Sequence, residues 1–164
     1  VQLPAQGFGN ASQPVLGYNY GAKEYKRVLS AIHFVTLLCF GTMFVIWVLI
    51  TAFPQYFIKI FTHDPHITKH AILYIRLYFA GFFMQSLQIS GQSVAVGLGK
   101  SKQAIFFSIF RKVIIVAPLT IILPHFIGIE GVFISEAISN FIGGCACYIT
   151  MWLTIGKNLK KEIS

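Results

Sequence analysis

The sequence predicts an all-α membrane protein with four transmembrane helices that follow the end of a fifth. Three observations predict it. Four apolar runs, over 29–53, 71–98, 104–127 and 131–155, fill most of the 164 residues. At about 1.5 Å of rise per residue, each run is long enough as a helix to cross the ~30 Å hydrocarbon core of a bilayer. The mean hydropathy is +0.70, and 13 Lys and Arg with 5 Asp and Glu sit mainly between the runs.

The first residues, Val1-Gln2-Leu3-Pro4, show neither an initiator Met nor a basic leader. They read as a chain cut from a longer protein, entered at the tail of a helix over 7–17. Tyr18 to Ala22 then reads as a polar turn, with Gly17 and Gly21 supplying backbone freedom. The first span follows and stops at Pro54. Gln55 to Thr62 reads as a short interfacial segment with its aromatics at headgroup level, and Asp64-Pro65 as a helix start.

The second span is the most polar. Gly81, Gln85, Gln88, Gln92 and Gly99 fall within about 60° of one another at ~100° per residue. Three amides against lipid would cost several kcal/mol each, roughly, so they face protein or water. Two roles stay open: interhelical hydrogen bonding, or the wall of a substrate cavity. The third span carries Pro118 and Pro124, which predict a bend in its outer half. Residues 124–131 are a very short turn, so the third and fourth spans form an antiparallel hairpin. On the fourth span Glu136 and Asn140 share a face about 100° wide with Gly143, Gly144, Cys147 and Thr154. Acids inside a span default to a functional hypothesis. Glu136 is a candidate for cation or substrate handling, or for a structural ion pair with Arg76.

Other chemistry finds little support. His63, Asp64, His66 and His70 cluster on one loop, but a solvated loop explains them better than a metal site. Cys39, Cys145 and Cys147 lie inside apolar runs and read as packing residues. The net charge of +8 forms no solvated stripe for nucleic acid. No Gly-rich phosphate loop or catalytic triad is present, so no enzyme, cofactor or metal is expected. Ten Lys and Arg fall on one side of the alternating spans and three on the other. The positive-inside rule places the richer side, with the C-terminus, in the cytoplasm.

The segment Gln13-Pro14-Val15-Leu16-Gly17-Tyr18-Asn19-Tyr20-Gly21-Ala22, with Lys23, Lys26 and Arg27 after it, resembles a signature of the multidrug and toxic compound extrusion (MATE) family. In that family it marks the loop after the eighth helix. Weaker similarity runs in order through Ile60 to Asp64, Tyr74 to Arg76, Gly97 to Ser101 and Gly131 to Asn140. The resemblance implies a partial C-terminal lobe, comprising the end of helix eight and helices nine to twelve of a two-lobed, twelve-helix bundle. It implies a multi-pass protein of the plasma membrane that exports cationic, aromatic drugs in exchange for Na⁺ or H⁺. Its partners would be the bilayer, the drugs and the N-terminal lobe. Some members carry an acid where this chain has Gln85, Gln88 and Gln92, and many carry Asp where it has Asn140. Glu136, four residues earlier on the same face, is the candidate substitute. A flippase for lipid-linked saccharides and a non-transporting membrane scaffold are the alternatives.

Overall fold

The computed structural model describes residues 1–59 and 65–163, apart from the side chains of 65–67, 69, 70 and 107. The His63, Asp64, His66 and His70 cluster, the similarity at Ile60 to Asp64 and the end of the interfacial segment lie outside the described residues. The rest is helical: α1 (Leu3–Gly21), α2 (Tyr25–Ala52), α3 (Pro54–Lys59), α4 (Pro65–Phe79), α5 (Gln85–Gly97), α6 (Ser101–Ile109), α7 (Ala117–Ile127), α8 (Glu130–Met151) and α9 (Lys157–Ile163). A 3₁₀ turn over Phe82–Met84 joins α4 to α5, and π-helical turns over Phe110–Val116 and Trp152–Gly156 join α6 to α7 and α8 to α9. Among the described residues four segments are long and apolar enough to span a bilayer: Tyr25–Ala52, Ala71–Gly97, Ser101–Ile127 and Glu130–Ile163.

The bundle is built around α5, which touches α1, α2, α6 and α8. Its face toward α1 and α2 is apolar at the end near Gly97. There Leu16, Val28, Ile32, Val94 and Leu98 pack with Met151, Ile155 and Leu159. A second cluster, Ala5, Val35, Cys39, Met43 and Phe82, lies further along α2. The lipid-facing side is equally apolar, with Leu37, Ile121, Phe126 and Ile129 among the exposed residues. Hydrophobicity alone therefore does not order these helices, and close packing and polar contacts set the arrangement.

The signature segment is not a loop. Gln13 to Gly21 lies inside α1, and the Tyr18 to Ala22 turn expected from its glycines is helical almost to its end. The Ala22 N–H still bonds the Tyr18 carbonyl at 3.0 Å. The chain turns only at Lys23, whose φ is 60°, while Glu24 N–H closes back on Asn19 O at 2.9 Å. That is a helix-ending clasp with a lysine in the left-handed position usually taken by glycine.

The second span is broken rather than continuous. α4 ends at Phe79, and Gly81 turns the chain with φ of 72°. A Cβ at Gly81 would collide with the Phe141 ring of α8, so space and backbone both demand glycine. The break separates Gly81 from the regular period it was expected to share with the glutamines. α7 and α8 form the expected hairpin, turning at Gly128 with Gly128 N–H on Pro124 O at 2.9 Å. In the third span the backbone changes just before Pro118. The Ala117 N–H reaches back five residues to Lys112 O, so the chain enters the proline from a wide π turn.

Substituting Gly81→Ala forces an L side chain into the left-handed region against Phe141. It should cost about 2–4 kcal/mol. Thermal unfolding of the complete gene product in detergent should show a lowered transition. Adding Phe141→Ala should recover part of the loss, since it removes the collision and leaves the strained φ. An unchanged transition for Gly81→Ala would reject this account of the break.

Candidate functional site

Arg111 lies in the π-helical stretch and points into the bundle, with 7% of its surface exposed. α6 starts at Ser101, directly after the Gly99-Lys100 turn, which puts Arg111 about three turns inside the span. A guanidinium at that depth needs acceptors for its five N–H groups. Nη1 donates to Gln88 Oε1 on α5 at 2.9 Å. Nη2 donates to Glu136 Oε1 on α8 at 2.7 Å. Nε donates to Ser139 Oγ at 3.4 Å, and Nη2 also meets Asn140 Oδ1. The space for the side chain comes from Gly143, where an added Cβ would lie 2.9 Å from Arg111 Cδ.

This corrects the expected pairing of Glu136 with Arg76. Arg76 is exposed on α4, whereas Glu136 is engaged by Arg111. Asn140 is fully buried, with its carbonyl oxygen turned to the guanidinium. Exchanging its oxygen and nitrogen would set N–H against N–H, so Arg111 fixes the amide orientation. Its Nδ2 is left without a partner among the described residues.

The three glutamines serve three different neighbours. Gln85 is buried and accepts a bond from Nε2 of Gln2, the residue before α1, at 2.9 Å. Gln88 is buried against Arg111. Gln92 donates to Ser108 Oγ of α6 at 2.9 Å and borders a cavity of about 430 Å³ between α1, α5 and α6. The polar wall of that groove is Gln6, Asn10 and Gln13 from α1, with Gln92 and Ser93 from α5 and Ser108 from α6. Ile89, Val96, Ile105 and Ile109 supply its apolar wall. Gln6, Asn10 and Gln13 recur at helical spacing, a stripe that sequence reasoning passed over because it lies before the first long apolar run. Gln88 and Asn140 thus belong to the buried Arg111 cluster, and Gln92 to the groove. Gln13 is on the groove wall and Pro14 is inside α1.

Sequence reasoning also missed Arg111 itself. The sequence alone groups it with the Lys100 loop, where Lys100 and Lys102 precede it. The helix start at Ser101 was the available signal.

The MatE family model matches residues 1–122. The fold matches an inward-facing MATE family transporter of the MOP superfamily with TM-score 0.88 and 20% identity, covering 97% of this chain and 37% of that one. An outward-facing MATE family transporter of that superfamily matches with TM-score 0.84 and 20% identity, covering 93% and 35%. The bent form of the Vibrio cholerae MATE transporter VcmN matches with TM-score 0.77 and 25% identity, covering 92% and 33%. The chain therefore spans about a third of the length of these structures. No curated protein matches the sequence.

Removing one member of a buried ion pair leaves the other uncompensated, at a cost of about 3–5 kcal/mol. Arg111→Met should therefore destabilise the complete gene product strongly. Adding Glu136→Gln should relieve part of the loss, because a neutral amide needs no counter-charge. Unfolding of the two single variants and the double variant measures the coupling. Strict additivity would show that the pair is not coupled.

Proposed function

The chain belongs to the MatE family of membrane transporters, and we propose that it forms most of the C-terminal lobe of a multidrug efflux antiporter. On this reading it supplies the end of helix eight and helices nine to twelve of a two-lobed, twelve-helix bundle. The observation that carries the proposal is the groove between α1, α5 and α6. Its volume, about 430 Å³, suits a small organic molecule. Amides both donate and accept, so a wall of Gln6, Asn10, Gln13 and Gln92 tolerates many cargo groups, while its isoleucines take an apolar body. A scaffold has no use for such a surface. A flippase for lipid-linked saccharides calls for a long basic cavity, and this one is lined by neutral amides.

The likeness to both an inward-facing and an outward-facing transporter supports a lobe that keeps its fold while the access side changes. Arg111 and Lys112 are the eleventh and twelfth residues of the span Ser101–Ile127, whereas every other basic residue lies near the end of a span or outside it, so leaving out these two changes the count from ten against three to eight against three. That ratio supports a C-terminus in the cytoplasm, and the proposed efflux role is what implies residence in the plasma membrane. Na⁺ or H⁺ is the proposed coupling ion. Glu136 is the only acid deep in a span among the described residues, and Arg111 already neutralises it. We therefore assign Glu136 a structural role and place the coupling acid elsewhere in the transporter.

The complete gene product in proteoliposomes should export an aromatic dye faster under an imposed Na⁺ or pH gradient. Glu136→Gln should keep that ion dependence, whereas Gln92→Leu should slow export several-fold. Export indifferent to both gradients would refute antiport, and loss of ion dependence in Glu136→Gln would return that residue to the coupling site. A cysteine introduced by Lys102→Cys should be labelled from the cytoplasmic side alone.

A further inference from the structure

We propose that the groove holds the acidic group of its cargo at Lys112, so that its ligands are organic anions or zwitterions with an apolar body. This rests on the groove being the cargo path. Lys112 is the twelfth residue of the span Ser101–Ile127, roughly 16 Å from its start. It is exposed, unlike its buried neighbour Arg111. An ammonium halfway across a bilayer is costly against acyl chains and too deep to snorkel to an interface. It needs water or a polar ligand.

Helical spacing places it. Ile105, Ser108 and Ile109 line the groove, and Lys112 follows Ser108 by four residues and Ile105 by seven. It therefore stands on the same flank one turn beyond Ser108, just past the groove's own lining, while Arg111 points about a quarter-turn away toward α5 and α8.

Among the described residues the groove wall carries no carboxylate. Gln6, Asn10, Gln13, Gln92, Ser93 and Ser108 are all neutral. The deep acid Glu136 is taken by Arg111. Lys112 thus puts one positive charge at the end of a groove whose own lining is neutral, in surroundings of low dielectric where one charge counts for more than in water. Ser108 accepts from Gln92 at 2.9 Å, which leaves its own O–H proton for a ligand one turn from the ammonium. An acidic group would meet a cation and a donor together, with its apolar body against Ile89, Ile105 and Ile109.

A matched pair of probes tests this: naphthaleneacetate and naphthylmethylammonium, titrated calorimetrically into the complete gene product in detergent, with no ion gradient. The wild type should bind the carboxylate about tenfold more tightly than the ammonium or better. Lys112→Gln should abolish that preference, and Lys112→Arg should keep affinity for the carboxylate within about threefold. Unfolding temperatures establish that each variant is folded, and the wild-type ranking is decisive without any variant. A wild type that prefers the ammonium, or a folded Lys112→Gln that binds naphthaleneacetate undiminished, overturns the assignment while leaving the groove as a cargo path. The second result would show that Lys112 answers a carboxylate of the protein instead. Binding of neither probe overturns the assignment and the cargo path together, although ion-driven export of another dye would preserve antiport.

Discussion

A guanidinium cannot stay inside a membrane bundle unless the bundle is built around it. Arg111 takes acceptors from α5 (Gln88) and α8 (Glu136, Ser139 and Asn140), and so ties three spans at one point. Lipid offers no hydrophobic drive for helix association, so this polar junction and tight packing must supply what apolar burial supplies in water. Gly143 follows from it, since any larger residue would displace the arginine stem. The wide π turn over Phe110–Val116 also carries Arg111 toward α8. Changing the hydrogen-bond spacing there alters the relation between residues below and above it, and Lys112 falls on a different flank from Arg111.

α5 is the element on which these constraints meet. It is too polar to stand against lipid. Each of its glutamines is answered by a different segment: Gln85 by Gln2 at the start of α1, Gln88 by the π stretch, Gln92 by α6. The side toward α1 is also drawn close, because Gly97 lets the backbone of Gln13 come within 3.1 Å of where a Cβ would sit. The same pair is just as close at Gly9, where an added Cβ would collide with Ser93 Oγ. The groove therefore opens beside this contact, toward α6, rather than between the two helices.

Much of this was legible in the sequence. Apolar runs of bilayer length are hard to mistake, and a run of ten residues resembling a family signature located the chain within a bundle. The inward direction of the glutamines followed from the cost of an unpaired amide in lipid. What was not legible depended on tertiary contacts. A glycine in an apolar run can be a packing site or a break, and only the Phe141 ring shows that Gly81 is a break. Tyr18 to Ala22 carries turn-forming residues, yet the helix runs on because its carbonyls find their i+4 partners before Lys23 turns. Basic residues near a loop look like topology markers, and Arg111 became visible as a buried cation only when helix register was fixed at Ser101. The partner of Glu136 was misjudged for the same reason.

The charges then divide into two kinds with different consequences. Arg111 and Glu136 cancel inside the lobe, and the guanidinium's bonds to Gln88, Glu136, Ser139 and Asn140 make the pair a poor place to exchange an ion rapidly. An ion entering there would have to break a bond of 2.7 Å and leave the guanidinium with fewer acceptors. Lys112 is the opposite case, exposed at mid-span. A neutral junction can hold helices together through a rigid-body movement without changing its own energy. A charge exposed on the surface of the lobe changes its energy with every change in its surroundings, from water to ligand to the facing lobe. Of the two cations in the π stretch, the exposed one is therefore the one suited to respond to cargo.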